Sequence, residues 1–391
     1  MNIKMSGQFI FLLVLFICCD HSIAIGESRL RARDLGVMFD GTAGPYNAIT
    51  DVPGIQVGYK TRIEGEGKLV VGKGPVRTGV TIIMPYGQKS DYYPCGYFSL
   101  NGDADMSAAL YIDDYGMRWG PIGITNTNSA GVVRDAIGEW NYRTFSDHGA
   151  EDMSFGYPIV GETWDGDFND INGFHISKED VFDAIAAATS GPIAEGNVGG
   201  GTGMWLYGFK GGTGTSSRLV KIGDTTYTVG VLVQANLGRR EDLTVTGVPV
   251  GKEITELQPV IDESWTDGSI FVVIGTDAPM LSLYLKQLAK RGALGLARTG
   301  TASGNGSGDV FLAFSTSPIE YDSTYQTLTQ RSVTKWSLDP LYRAAVQATE
   351  EAIVNVLVAA ETLSGVNGNT LYAIPHERLR EVLKKYNRLK K

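Results

Sequence analysis

The sequence predicts an α+β fold in which buried β-sheets are covered by helices, and three observations carry that prediction. Short β-rich runs and helical patterns alternate along the chain without a strict βαβ cadence, which disfavours a doubly wound parallel sheet. Of the 391 residues, 43% are hydrophobic and 20% charged, enough for a sizeable core and too apolar for a disordered chain. No Pro-rich or low-complexity linker divides the chain, so residues 25–391 read as one large domain behind a leader of residues 1–24.

The leader comes first in chain order. Lys4 precedes an apolar run from Phe9 to Cys19, followed by polar Asp20 and His21 and a small-x-small site at Ser22-Ile23-Ala24. This is the pattern of a signal peptide, and the run is short for a permanent membrane span. A lipid anchor at Cys18 or Cys19 fits less well, because bulky Ile17 or Cys18 stands where a small residue is usual. The expected location is periplasmic or secreted. Cleavage after Ala24 leaves Cys95 as the single cysteine, so no intrachain disulfide is expected and stability must come from packing.

The strands are read at residues 79–84, 121–127, 157–162 and 226–235, each rich in β-branched or aliphatic residues. Helical spacing marks 129–142, 177–188, 278–297 and 338–363, with Asp277 placed as N-cap of the third. Fifty glycines follow no fixed period, which excludes a collagen-like array. Two glycine-rich stretches, Gly196 to Gly203 and Lys210 to Ser217, read as loops that let backbone approach a ligand or turn sharply. Neither has the Gly-x-x-x-x-Gly-Lys-Ser/Thr order of a phosphate loop, which excludes nucleotide binding by that route.

A formal charge of −9 lacks the basic surplus that phosphate backbones demand, so no nucleic-acid partner is expected. The four histidines, at 21, 148, 175 and 376, stand in no metal-binding spacing, and neither a metal nor an organic cofactor is expected. Ser307 sits in Gly304-Asn305-Gly306-Ser307-Gly308, which matches a nucleophile elbow as a string. Its flanks, a glycine loop before and the apolar run Val310 to Phe314 after, are the wrong context for one.

The informative segment is Asp267-Gly268-Ser269 ahead of the apolar run Ile270 to Ile274. A plain loop-to-strand junction is one reading. The other is chemical: a serine hydroxyl is a weak nucleophile without a base, and no histidine is suitably placed. Cleavage of the Gly268–Ser269 bond would free an α-amine of unperturbed pKa about 7.7–8.0, tethered beside its own hydroxyl. Glycine before the bond would permit a strained backbone in which that hydroxyl attacks the preceding carbonyl.

These residues, in shared order with several others, resemble the self-processing β-aminopeptidases and L-aminopeptidase/D-amidase-esterases, the DmpA family (peptidase family S58). The resemblance runs through Tyr46 to Gly54, Thr125-Asn126-Thr127, Gly131 to Asp135, Asn169 to Asn172, the double glycine stretch, Val233 to Asn236, Asp267-Gly268-Ser269, Ala293 to Gly300 and Gly306 to Asp309. It implies a four-layer αββα sandwich like that of N-terminal-nucleophile hydrolases. It also implies self-cleavage into an α chain, 25–268, and a β chain, 269–391, which stay together and assemble into homo-oligomers of αβ units. Carried over by position, Ser269 is the nucleophile, Ser307 bonds its hydroxyl or amine, Asp309 polarises Ser307, and Asn236 helps hold the oxyanion. Asp309 also suits a solvated strand start.

Some relatives carry tyrosine where Trp164 stands and use its hydroxyl in the oxyanion site; an indole N–H donates but cannot accept, so Trp164 suits lining a pocket as well as stabilising charge. Glu162 is the candidate anchor for a substrate ammonium, with a buried structural glutamate as the other reading. The expected substrates are small peptides, amides or esters with a free amine, of α-L, D or β-amino type, and no membrane partner is expected once the leader is gone. A self-cleaving acyltransferase and an unprocessed exported binding protein of the same fold are the alternatives.

Overall fold

The structure, a computed structural model, describes residues 29–89, 91–145, 156–261, 268–323 and 326–390. The leader, His148 and Asp267 lie outside the described residues. Ten strands build two stacked sheets. The first contains β1 (Gln56–Glu64), β2 (Val76–Met84), β5 (Ile122–Asn126) and β6 (Ile159–Thr163), in the order β1-β2-β5-β6. The second contains β3 (Tyr92–Gly102), β4 (Met117–Trp119), β7 (Gly212–Ile222), β8 (Thr225–Asn236), β9 (Ser269–Thr276) and β10 (Gly308–Ser315), in the order β4-β3-β10-β9-β8-β7.

Most neighbours are antiparallel, but β5 and β6 run parallel, as do β9 and β10. Parallel neighbours need a crossover, and each pair has a helix for it. Helix α1 (Ala130–Phe145) lies between β5 and β6, and α3 (Ser282–Ala297) lies between β9 and β10. With α2 (Lys178–Ala186) and α4 (Asp339–Ala359) they cover the two outer sheet faces.

Period-two alternation sorts each strand's side chains between layers. From β9, Phe271 and Val273 enter the core between the sheets, beside Ile122, Ile124 and Ile159 of the first sheet. Ile270, Val272 and Ile274 face the other way, against Leu285 and Leu288 of α3 and Ala348 and Ala352 of α4. On the far side Val80, Ile82 and Val160 pack on Val133 and Ile137 of α1 and Val181 and Ile185 of α2. A strand buried on both faces reads as a continuous apolar run, which is how β9 reads. The result is the four-layer αββα sandwich.

Two local expectations are corrected. Asp277 does not cap α3, which starts at Ser282 after Leu281. Its Oδ1 instead accepts from the Thr228 amide at 2.7 Å, so a strand neighbour claims the carboxylate that a nearby helix would have used. The stretch Lys210 to Ser217 is not a loop, because Gly212 to Ser217 begin β7. Its glycines answer close packing rather than ligand approach: a β-carbon on Gly214 would lie 2.2 Å from the Ala352 carbonyl oxygen of α4. Lys210, fully buried, donates through Nζ to the Met204 and Gly211 carbonyls at 2.7 and 2.8 Å.

Several residues of the matched motifs are structural. Asn47 donates from Nδ2 to Glu351 Oε1 at 2.6 Å and accepts from the Ser217 amide at 3.0 Å. Asp51 accepts from the Tyr46 and Ala48 amides and from Ser217 Oγ. Burial opposes ionisation of Glu351, yet Arg33 and Arg218 beside it hold its carboxyl below the usual range. The segment near the start of the described chain is thereby tied to α4 and β7.

The sheets pack tightly near the head of β9. A β-carbon on Gly161 of β6 would lie 2.2 Å from the ring of Phe271, which is 1% exposed and two residues past Ser269. Gly161→Ala is expected to destabilise the fold by about 1–3 kcal/mol, the usual cost of overpacking a filled core. A lowered urea midpoint measures it, and an unchanged midpoint would show that the ring can yield.

Candidate active site

The strand register assembles the candidate residues. Ser269, the first residue of β9, lies between Asn236, the last of β8, and Gly308, the first of β10. Facing them across the sandwich are Thr127 and Trp164, which follow the ends of β5 and β6, and Glu162 within β6. A cavity of about 390 Å³ opens there, lined by Ser269, Asn236, Glu162, Trp164, Thr127 and Gly268 among others.

Asn236 is oriented at both ends of its amide. Its Oδ1 accepts from the Trp205 amide at 2.9 Å, and its Nδ2 donates to the Trp164 carbonyl at 2.9 Å. The two partners fix which atom is oxygen and which nitrogen, and Nδ2 carries a second hydrogen for an oxyanion. One step deeper, Gln234 Nε2 donates to the Thr125 carbonyl at 2.9 Å and to Thr163 Oγ1 at 2.7 Å. These amides tie the second sheet to the first.

The bond before Ser269 is held in place. The Gly308 amide donates to the Gly268 carbonyl oxygen at 3.2 Å. Gly268 is buried beside the end of β8. Its glycine answers proximity, since a β-carbon would lie 2.0 Å from the Asn236 carbonyl oxygen.

Ser307 and Asp309 form a buried pair: Ser307 Oγ donates to Asp309 Oδ1 at 2.8 Å, and Asn101 Nδ2 donates to Asp309 Oδ2 at 3.2 Å. Asp309 is fully buried, which removes the reading as a solvated strand start. Burial pushes its carboxyl up, opposed by bonds from Ser307, Ser303 and Asn101. Neither residue lines the cavity.

Glu162 is 5% exposed yet lines the cavity. The Asp105 amide donates to its Oε1 at 2.8 Å, and Thr127 Oγ1 donates to its Oε2. Burial raises its pKa above the ordinary glutamate value, against those two bonds, while the charges of Asp105 and Asp103 push the same way as burial.

Trp164 lines the cavity and holds Asn236 with its carbonyl. Gly166 makes room for that indole, because a β-carbon there would meet it at 2.4 Å. Behind it, burial pushes the Asp165 carboxyl up to about 7, with Thr78, Asn169 and Asn126 opposing.

The described histidines are elsewhere, His175 on Asp170 at 2.8 Å and His376 on the Val358 carbonyl at 2.8 Å. Among the described residues no group of three or more His, Cys, Asp or Glu is arranged to hold a metal. Sequence reading gave no role to Thr127, Asp103, Asp105, Asn101 or Trp205. Thr127 stood inside a matched motif and was open to assignment. The others carry no local pattern.

Residues 47–371 match the model of peptidase family S58. A β-peptidyl aminopeptidase of Sphingosinicella microcystinivorans is 50% identical over 374 residues, covering 92% of this chain and 93% of the relative. The L-aminopeptidase D-Ala-esterase/amidase of Ochrobactrum anthropi, a prototype of the serine aminopeptidases with a variant Ntn hydrolase fold, superposes with a TM-score of 0.86 at 44% identity, covering 92% of this chain and 99% of that one. A β-aminopeptidase of a Burkholderia species gives 0.81 at 40% identity, covering 91% and 99%.

The electrostatics of Glu162 give a test independent of activity. A carboxyl whose native pKa is raised binds its proton more tightly folded than unfolded, so its ionisation costs stability as pH rises from about 4.3 through the raised value. Glutamine can keep both bonds and carries no charge. Relative to the parent, Glu162→Gln is therefore expected to gain stability between about pH 4 and pH 7. Denaturation at the two pH values checks this, and a relative loss would mean that the charge supports the fold.

Proposed function

The chain belongs to peptidase family S58, and from that premise we propose that Ser269 becomes a new N-terminus and the nucleophile of a self-processing serine aminopeptidase. The enzyme is a hydrolase that releases N-terminal residues. The observation that carries the assignment is Ser269 at the head of β9, facing the cavity that Asn236 and Glu162 share.

In self-processing, Ser269 Oγ adds to the Gly268 carbonyl carbon, whose oxygen already accepts from the Gly308 amide. The C–N bond breaks as an ester forms on Oγ and the Oγ proton passes to the departing nitrogen, and water hydrolyses that ester to leave a Gly268 carboxylate and a free Ser269 amine. In turnover the amine takes the Oγ proton as Oγ adds to the substrate carbonyl. Asn236 Nδ2 donates to the developing oxyanion, a contact of the kind worth about 2.7–4 kcal/mol. The leaving amine receives the proton, and water then releases the acyl group. Ser307, its own hydrogen given to Asp309, offers its oxygen lone pairs to the new amine. Glu162 receives the substrate ammonium, and Trp164 walls the cavity.

Substrates are small peptides, amides or esters, with β-amino residues among them, as the names of the similar proteins support. The 25–268 and 269–391 chains remain associated, the leader directs export, and αβ units assemble further.

Intact mass and N-terminal sequencing are expected to find a smaller chain beginning Ser269-Ile270-Phe271. Ser269→Ala is expected to yield one uncut chain without hydrolysis, because alanine has no nucleophilic atom. Active enzyme made only of uncut chain would overturn the mechanism.

Glu162→Gln is expected to lower kcat/KM toward free-amine substrates by about 2–5 kcal/mol of transition-state binding while still cutting at Gly268–Ser269, a bond with no free amine. N-acetylated substrates turning over as fast as free ones would move the ammonium site elsewhere.

A further inference from the structure

The cavity carries more negative charge than one substrate ammonium needs. Asp103, Asp105, Asp167 and Glu162 all line it, and among the described residues none of its lining is Lys, Arg or His. These carboxylates do not converge on a metal arrangement. Glu162 answers the ammonium. Asp103 and Asp105 are exposed, and among the described residues neither is in an ion pair.

The backbone that bears them is fixed by the two sheets. Met106 bridges to Gly161, the Ser107 amide donates to the Val160 carbonyl at 3.0 Å, the Val160 amide donates to Ser107 Oγ at 2.9 Å, and the Asp105 amide holds Glu162, so this segment covers the open edge of β6. At its other end Asp103 leans on Gly308, where a β-carbon would lie 2.1 Å from the Asp103 carbonyl oxygen. Gly308 is the strand partner of Ser269. The segment thus runs from the ammonium anchor to the nucleophile, with Asp105 at the Glu162 end and Asp103 at the Ser269 end. An acyl group spans that same interval, from its ammonium to the carbonyl under attack. What lies beyond it, beside Asp103, is the leaving group.

We propose that Asp103 makes the leaving-group side of this cavity selective for positive charge: a cationic leaving group is preferred to a neutral one, and a neutral one to a carboxylate. The favoured substrates are an N-terminal amino residue joined to a diamine or followed by a basic residue, and the disfavoured ones are dipeptides whose terminal carboxylate falls beside Asp103. The inference rests on Ser269 being the nucleophile. Its physical basis is Coulomb interaction at a half-open wall, where complementary charge gives specificity and is sensitive to salt.

The test compares kcat/KM for one β-amino residue joined to three amines of similar size: ethylenediamine, with a cationic tail, propylamine, neutral, and glycine, anionic. At low salt the order is expected to fall from the first to the last by about tenfold or more. About 0.5 M sodium chloride is expected to compress that span. Asp103→Asn is expected to compress it at low salt, and Asp105→Asn to do so less. Comparing the cationic-to-anionic ratio between parent and variant cancels the differing basicity of the three leaving amines.

If the nucleophile is misassigned, Ser269→Ala still hydrolyses the series. If the charge inference is wrong, the parent turns over all three while Ser269→Ala does not, and the order is flat or reversed, or Asp103→Asn leaves the ratio unchanged.

Discussion

The site depends on the register of three adjacent strands, β8, β9 and β10, which brings Asn236, Ser269 and Gly308 side by side at one end of the sandwich. Because side chains alternate, a slip of one residue would send Ser269 to the helix layer and bring Ile270 to the cavity. The inner core guards that register, since Phe271 fills the space that Gly161 leaves and Val273 lies beyond it. Gln234 and Asn236 then bond across to the first sheet, joining the oxyanion candidate to the wall it faces.

Polar atoms at the end of such a sandwich are half out of water, and here backbone groups of the walls also orient the side chains of the site. The Trp164 carbonyl ends the wall and orients Asn236, while the segment that closes the β6 edge through Met106 and Ser107 also holds Glu162 through the Asp105 amide. Buried groups without a bond partner cost free energy, so each added function follows from a bond the fold already required. Glu162 keeps a raised pKa despite two donors, which makes it a ready partner for a cation that brings its own compensation. Ser307 and Asp309 form a second such unit beside Gly308, braced by Asn101.

Glycine has two kinds of place in this chain. Some sit in turns with positive φ, such as Gly54 and Gly300. Those nearest the chemistry, Gly161, Gly166 and Gly268, are there because another atom occupies the position of a β-carbon. That distinction is invisible in sequence, where both kinds are the same letter, and it is why the Gly196 to Ser217 region reads as loop and folds partly as strand.

The sequence by itself determined that buried strands are covered by helices, and it marked Ser269 as the candidate nucleophile. Continuous apolar runs mark doubly buried strands, 3.6-residue spacing marks their covering helices, and both signals are local in the chain. The Gly268–Ser269 junction at the mouth of such a run is local as well. What only the tertiary structure decided is every contact between distant segments: Asp277 accepting from Thr228 rather than capping a helix, Trp164 holding Asn236 with its carbonyl, and Asp103 lying against Gly308. Periodicity reports which face of an element is buried, but not which partner meets it, and a polar side chain is claimed by whichever donor the packed sheets bring within about 3 Å.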